Sequence, residues 1–140
     1  MVVDASVWVA AFLVRDAHRV EVLEFLRRVV AVRAEAAIPA LALAEIGGAI
    51  ARRSSAPEPA VAAVDFIRAQ DWIEVVPVGV ALGEAAARLA IRNRLRGADA
   101  AYAALAAIRK VPLVTLDREI IDRAGDALVG MLPAQWSAGT

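Results

Sequence analysis

The sequence predicts an α/β domain, a three-layer sandwich in which a mostly parallel, short-stranded sheet carries helices on both faces. Two observations lead there. Short apolar runs, several of them β-branched, alternate along the chain with longer stretches whose apolar residues recur at helical spacing. The composition, 60% hydrophobic and 23% charged over 140 residues, suits a chain that buries a full core.

Val2-Val3 is β-branched and ends at a polar residue, which reads as a buried strand. A helical stretch follows over residues 4–13, through Trp8, Phe12 and Leu13, and breaks at Asp16 to His18. Residues 19–33 place Val22, Phe25, Leu26, Val29 and Val30 on one side and Glu21, Glu24 and Arg28 on the other, an amphipathic helix. Residues 36–38 form a second strand before Pro39, which suits a helix's first turn, so residues 40–53 read as helix. Ser54-Ser55 closes it, and Pro57 and Pro59 open the next helix, to Gln70. Residues 73–76 end at Pro77 and read as a third strand. Helices over 80–95 and 98–109 flank Gly97. Residues 113–115 are a fourth strand, 117–123 a short helix, and 127–129 a fifth strand. No repeat or linker interrupts the pattern, so residues 1–140 are expected to be one domain.

Composition removes several functions. Without Cys there is no disulfide, thiolate metal site or Cys nucleophile. A lone His18 excludes any site built on two imidazoles. Sixteen basic and sixteen acidic residues cancel, so partners must be read from local clusters. The longest uncharged run, residues 127–140, is too short to span a bilayer and contains Pro133. The apolar start carries Asp4 and lacks a basic segment before it, unlike a signal peptide. The expectation is a soluble cytoplasmic protein with no membrane partner.

In parallel α/β sheets, ligands bind outside the carboxyl ends of the strands. Four acids fall there: Asp4 after the first strand, Glu45 on the helix after the second, Asp99 on the helix after Gly97, and Asp117 after the fourth. Asp99 and Asp117 can also be read as helix N-caps, and Asp4 as the start of a turn toward Ser6. Glu45 resists such a reading. Its helical neighbours Leu41, Ala42, Gly48 and Ala49 are apolar or small, and no cation lies within a turn on that side. Two unit charges about 5 Å apart repel by roughly 3 kcal/mol at an effective dielectric of about 20. A four-acid cluster therefore calls for protons or a cation. Oxygen-only ligation indicates a hard ion, Mg²⁺ or Mn²⁺, and such ions serve phosphodiester hydrolysis.

Competing folds lack their marks. There is no G-x-x-x-x-G-K-[ST] loop and no G-x-G-x-x-G after the first strand. Asp4-Ala5-Ser6 is not the D-x-D of haloacid-dehalogenase-type phosphatases. Lys110-Val111-Pro112 precedes a strand, whereas a receiver domain needs its lysine after one.

The motifs Asp4-Ala5-Ser6, I-P-A-L-A-L-A-E-I around Glu45, A-D-A-A-Y-A-A-L-A around Asp99 and V-T-L-D-R-E around Asp117 together resemble the PIN domain. The chain is most similar to VapC toxins of bacterial and archaeal type II toxin–antitoxin systems. The resemblance covers nearly the whole chain. It implies an endoribonuclease dependent on Mg²⁺ or Mn²⁺, an RNA substrate, inhibition by a VapB-like antitoxin, and a homodimer. By motif position, Asp4, Glu45, Asp99 and Asp117 match the family's catalytic and metal-binding acids, with Ser6 and Thr115 as supporting hydroxyls. The alternative is a PIN-like module that binds RNA or a partner without cutting. The four retained acids argue against it, because a non-cutting module does not need their repulsion.

Between Arg88 and Lys110 there are six cations against one acid, with Arg92, Arg94 and Arg96 just before Asp99. They are candidates for RNA phosphate contacts, the plain alternative being a solvated helix face. His18 is expected in a surface turn. Trp8 and Trp72 are expected in the core, and Trp136 at the surface or an interface.

Overall fold

The computed structural model of the chain describes residues 1–125 and 128–139. Among these, β1 (Val2–Val3) leads into helices α1 (Ala5–Phe12) and α2 (Arg19–Ala31). Strand β2 (Ala36–Pro39) leads into α3 (Leu41–Arg53) and α4 (Glu58–Ala69). Then come β3 (Ile73–Val76), α5 (Val80–Asn93), α6 (Gly97–Arg109), β4 (Leu113–Val114), α7 (Arg118–Ala124) and β5 (Gly130–Met131). A 3₁₀ turn, Pro133–Gln135, follows. The five strands pair in parallel in the order β3-β2-β1-β4-β5.

This order decides the layers. From β1 the chain moves through β2 to β3 in one direction, then jumps back across β1 to β4 and continues to β5. Right-handed crossovers then put α1–α4 on one face and α5–α7 on the other. Contacts agree: α1 packs on α2 and α3, α3 on α4, α5 on α6, and α6 directly on β1, β2 and β4. The close seat of α6 follows from its residues, because Ala100, Ala101, Ala103, Ala104 and Ala106 are all buried and let it approach the sheet. The core between layers is filled by Trp8, Phe25, Ile38, Ile46, Ile50, Ile67, Tyr102, Leu113 and Ile120.

Several boundaries differ from expectation. Pro39 belongs to β2 and pairs with Val76 instead of opening the helix. Along β2, Ala36 and the following Ala40 donate their N–H to Trp72 and Val76 on the β3 side, while Ala37 donates to Met1 on the β1 side. The alternation turns the nitrogen of Pro39 toward β1 just where β1 ends. The missing N–H therefore breaks little of the ladder. Thr115 lies just beyond β4, although its N–H still donates to Met131 O at 3.0 Å. Helices α2 and α5 stop two residues earlier than expected, at Ala31 and Asn93. The fifth strand is Gly130–Met131 instead of 127–129, and Ala127 lies outside the described residues. Trp136 is buried, not exposed, with its ring edge-on to Phe25 at 5.6 Å. Trp8 and Trp72 pack together at 5.9 Å.

Candidate active site

Strands β1 and β4 are neighbours whose onward connections leave in opposite directions. That reversal opens a crevice at their carboxyl ends, the place where parallel sheets bind ligands. Asp4 leaves β1 into it, and Thr115 and Asp117 leave β4.

Asp4 is buried and caps α1. Its Oδ2 accepts the Ser6 N–H at 3.1 Å, the Thr115 hydroxyl at 3.0 Å and the Ser6 hydroxyl. The Ser6 Oγ accepts the Leu116 N–H at 3.1 Å, and the Thr115 Oγ1 accepts the Asp117 N–H at 3.0 Å. Each hydroxyl has one proton. With a backbone amide on its lone pair, that proton goes to Asp4. The two hydroxyls thus tie the end of β1 to the loop after β4 through a single carboxylate oxygen.

Glu45 sits one turn into α3, half-buried. Its Oε2 accepts the Tyr102 hydroxyl at 2.6 Å. Tyr102 is buried on α6, one turn beyond Asp99, so this bond joins helices from opposite faces of the sheet. Asp99 is the third residue of α6 and not its N-cap, which is Arg96. The capping alternative for Asp99 therefore fails. For Asp117 it holds, since Oδ1 accepts the Glu119 N–H at 2.8 Å at the start of α7. Its Oδ2 remains turned toward Arg96, at 3.8 Å.

Burial is the largest influence on Asp4, Glu45 and Asp99, and it raises all three above the ordinary carboxylate range. For Asp4, the bonds from Ser6 and Thr115 pull the other way. For Glu45, the Tyr102 bond opposes burial, while the charges of Asp4 and Asp99 add to it. For Asp99, Arg96 opposes burial, while Asp4, Asp117 and Glu119 add to it. Asp4, Glu45 and Asp99 therefore lie close enough for their charges to act on one another, and Asp117 close enough to act on Asp99.

Sequence reasoning did not assign a role to Tyr102, although it stands out as the polar residue in A-D-A-A-Y-A-A-L-A. Glu119 was also passed over, in V-T-L-D-R-E. Arg96 contacts Asp99 at 3.4 Å and Glu119 at 3.1 Å, besides Asp117. Glu119 also pairs with Arg123 at 2.7 Å. Arg92 and Arg94 are exposed beside it. The carbonyl of Arg94 accepts the Arg123 guanidinium. On the other side, a groove of about 600 Å³ runs from Ser6 and Glu45 past Ala49 to His18, Arg52 and Arg53. His18 is exposed there, its Nδ1 3.6 Å from Glu21.

Among the described residues, no three His, Cys, Asp or Glu side chains stand together closely enough to hold a metal ion as they are placed. The donor set nevertheless fits a hard divalent cation by its chemistry. It offers carboxylate oxygens alone, whose charged forms are disfavoured by burial and by each other. The contacts of Asp4, Glu45 and Asp99 described above use Oδ2 or Oε2, leaving acceptor capacity on the second oxygen.

Comparison with known proteins agrees with this geometry. No curated protein matches the chain by sequence. Among solved structures, VapC20 of Mycobacterium tuberculosis, a Sarcin-Ricin loop cleaving toxin, superposes with a TM-score of 0.74 at 24% identity over 89% of this chain and 94% of that one. FitAcB from Neisseria gonorrhoeae gives 0.72 at 12% identity, covering 96% and 99%. VapBC2 from Rickettsia felis, bound to a DNA fragment from their promoter, gives 0.71 at 17% identity, covering 94% and 96%. At these identities the likeness is one of fold. The PIN domain family model matches residues 1–126, a span that takes in all five strands but the last and all four acids of the crevice, and the chain belongs to that family.

Proposed function

We propose that the chain is a divalent-metal-dependent endoribonuclease, the toxin of a VapBC-type pair, and that its residues form one catalytic domain. One observation carries the reading: Asp4, Glu45 and Asp99, from three separate segments, meet at the sheet's switch point, where burial raises each above the ordinary carboxylate range and neighbouring acid charges raise Glu45 and Asp99 further. Asp4, Glu45, Asp99 and Asp117 would hold Mg²⁺ or Mn²⁺. A bound ion of this kind supplies an activated water and stabilises charge on the phosphodiester.

The chain's own residues do the positioning. Ser6 and Thr115 fix the rotamer of Asp4 by donating to Oδ2. Tyr102 does the same for Glu45. Arg92, Arg94 and Arg96 are the residues we assign to RNA phosphates, with Arg96 already tied to the acids. The fold likeness to VapC20, VapBC2 and FitAcB supports a VapB-like antitoxin as the partner. Exposed apolar side chains such as Val14, Val61 and Phe66 support a homodimer, which light scattering at micromolar concentration reads directly.

The test is cleavage of a mixed RNA pool by the purified chain. Cutting is expected with Mn²⁺ or Mg²⁺ and is expected to stop in excess EDTA. Undiminished cutting in EDTA contradicts the metal reading. RNA binding without cutting in any divalent ion points to the non-cutting module.

A further inference from the structure

We infer that Arg96 is an internal counterion that holds Asp99 and Asp117 while no metal is bound and must release them when one binds. This rests on the metal-site reading above and adds a residue that sets the affinity of that site. The side chain is 71% exposed, yet its guanidinium reaches three carboxylates from two helices. Its Nε lies 3.4 Å from Asp99 Oδ2, and its Nη2 lies 3.8 Å from Asp117 Oδ2 and 3.1 Å from Glu119 Oε2. A planar fork can serve several carboxylates at once, where a lysine ammonium offers one point of charge. Arg96 is the N-cap residue of α6, extended in its backbone, with no side-chain bond to the helix. The side chain is therefore directed to the acids, not used to end the helix.

Asp99 and Asp117 each turn Oδ2 to the guanidinium, so their charge is already partly neutralised. A divalent ion and Arg96 compete for these two groups. Glu119 lets the exchange proceed without stranding the arginine. It is more exposed than either aspartate, caps nothing with its side chain, and is held by Arg123 from the other side. Arg96 can leave Asp99 and Asp117 and keep Glu119. Exposed pairs are individually weak, so the counterion lowers metal affinity without abolishing it.

Mn²⁺ binding to the purified full chain, measured by calorimetry, tests this in wild type, Arg96→Gln and Arg92→Gln. The Arg92 side chain makes no hydrogen bond or ion pair among the described residues, so its variant removes the same charge without the contact. Arg96→Gln is expected to bind Mn²⁺ about threefold to tenfold tighter than wild type. Arg92→Gln is expected to stay within about twofold, as screening at physiological salt would leave it. Melting without RNA gives a second reading. Arg96→Gln should melt lower than wild type in EDTA and gain more from saturating Mn²⁺. Equal affinities and equal melting gains for the two variants would overturn the inference. So would an Arg96→Gln chain that binds Mn²⁺ more weakly than wild type. If wild type itself binds no Mn²⁺, it is the metal-site reading that fails.

Discussion

Single side chains decide how the carboxylates stand. The hydroxyl of Tyr102 is the clearest case, because it supplies Glu45 with a charge-assisted bond across the sheet. Removing it by Tyr102→Phe leaves the ring in place and a half-buried carboxylate without its donor. That should destabilise the protein by about 1–2 kcal/mol in denaturant melts. The bond lowers Glu45 toward its ordinary range, so the variant's Glu45 should protonate at higher pH. The acid limb of any cleavage profile should move to higher pH with it. An unmoved profile and unchanged stability would show that the contact does not orient Glu45. Asp4 illustrates a different point. It is the N-cap of α1 and a candidate ligand at once, with Oδ2 holding the Ser6 and Thr115 donors. A structural role and a chemical one are not alternatives for such a residue.

At the level of elements, the sequence reveals kinds of structure better than their ends. Val2–Val3 and Leu113–Val114 are apolar and fully buried, so they stand out despite two residues each. Helix ends are harder where the usual glycine is missing. Arg33 and Arg94 take left-handed backbone after α2 and α5, with φ of 53° and 56°, and nothing in an arginine announces a stop. This is why both helices seemed longer. Asp4, Asp99 and Asp117 were legible because each follows a strand or opens a helix, and Glu45 because its helical neighbours are apolar or small. Tyr102 and Arg96 were not assigned their parts, since both act through contacts between elements distant in sequence. Trp136 was misplaced for the same reason: its partner Phe25 lies on α2. The helix ends can be tested. Lys110 ends α6 at φ 53° and ψ 43°, so Lys110→Gly should stabilise by about 0.5–1 kcal/mol. Gly83 lies inside α5 with open space where a Cβ would stand, so Gly83→Ala should stabilise by a similar ~0.5–1 kcal/mol. Chemical denaturation checks both, and a loss in either would contradict the local geometry.

The whole molecule feels the cluster through its pH dependence. Asp4, Glu45 and Asp99 are raised above their unfolded values, so the folded state holds their protons more tightly than the unfolded chain does. The stability this brings is complete below the unfolded carboxylate values, near pH 4, and is lost as pH rises through the folded ones. The metal-free protein should therefore be penalised at neutral pH. Glu74 works in the opposite sense. Its two bonds from Arg109 lower it, so its contribution is present above the unfolded value and fades in acid. That pair is exposed, so the crevice should dominate. A divalent ion bound to the ionised cluster would remove the penalty. The melting gain from saturating Mn²⁺ should grow as pH rises above the ordinary carboxylate range and the raised ligands ionise. A gain independent of pH would show that the ion binds elsewhere.

The central claim is that the four acids form one metal-dependent catalytic site, and Asp99→Asn tests it most directly. The substitution keeps shape while removing one charge from a cluster that raises Asp99 through burial and through Asp4, Asp117 and Glu119. Melting curves with Mn²⁺ and with EDTA, beside RNA cleavage by the same preparations, give the answer. The account predicts that cleavage collapses and that the EDTA melting point stays level or rises. The gain from Mn²⁺ should shrink, since a ligand at 100 times its Kd stabilises by about 2.7 kcal/mol and a weakened site by less. A variant that melts lower in EDTA, keeps the full Mn²⁺ gain and still cuts RNA would contradict it.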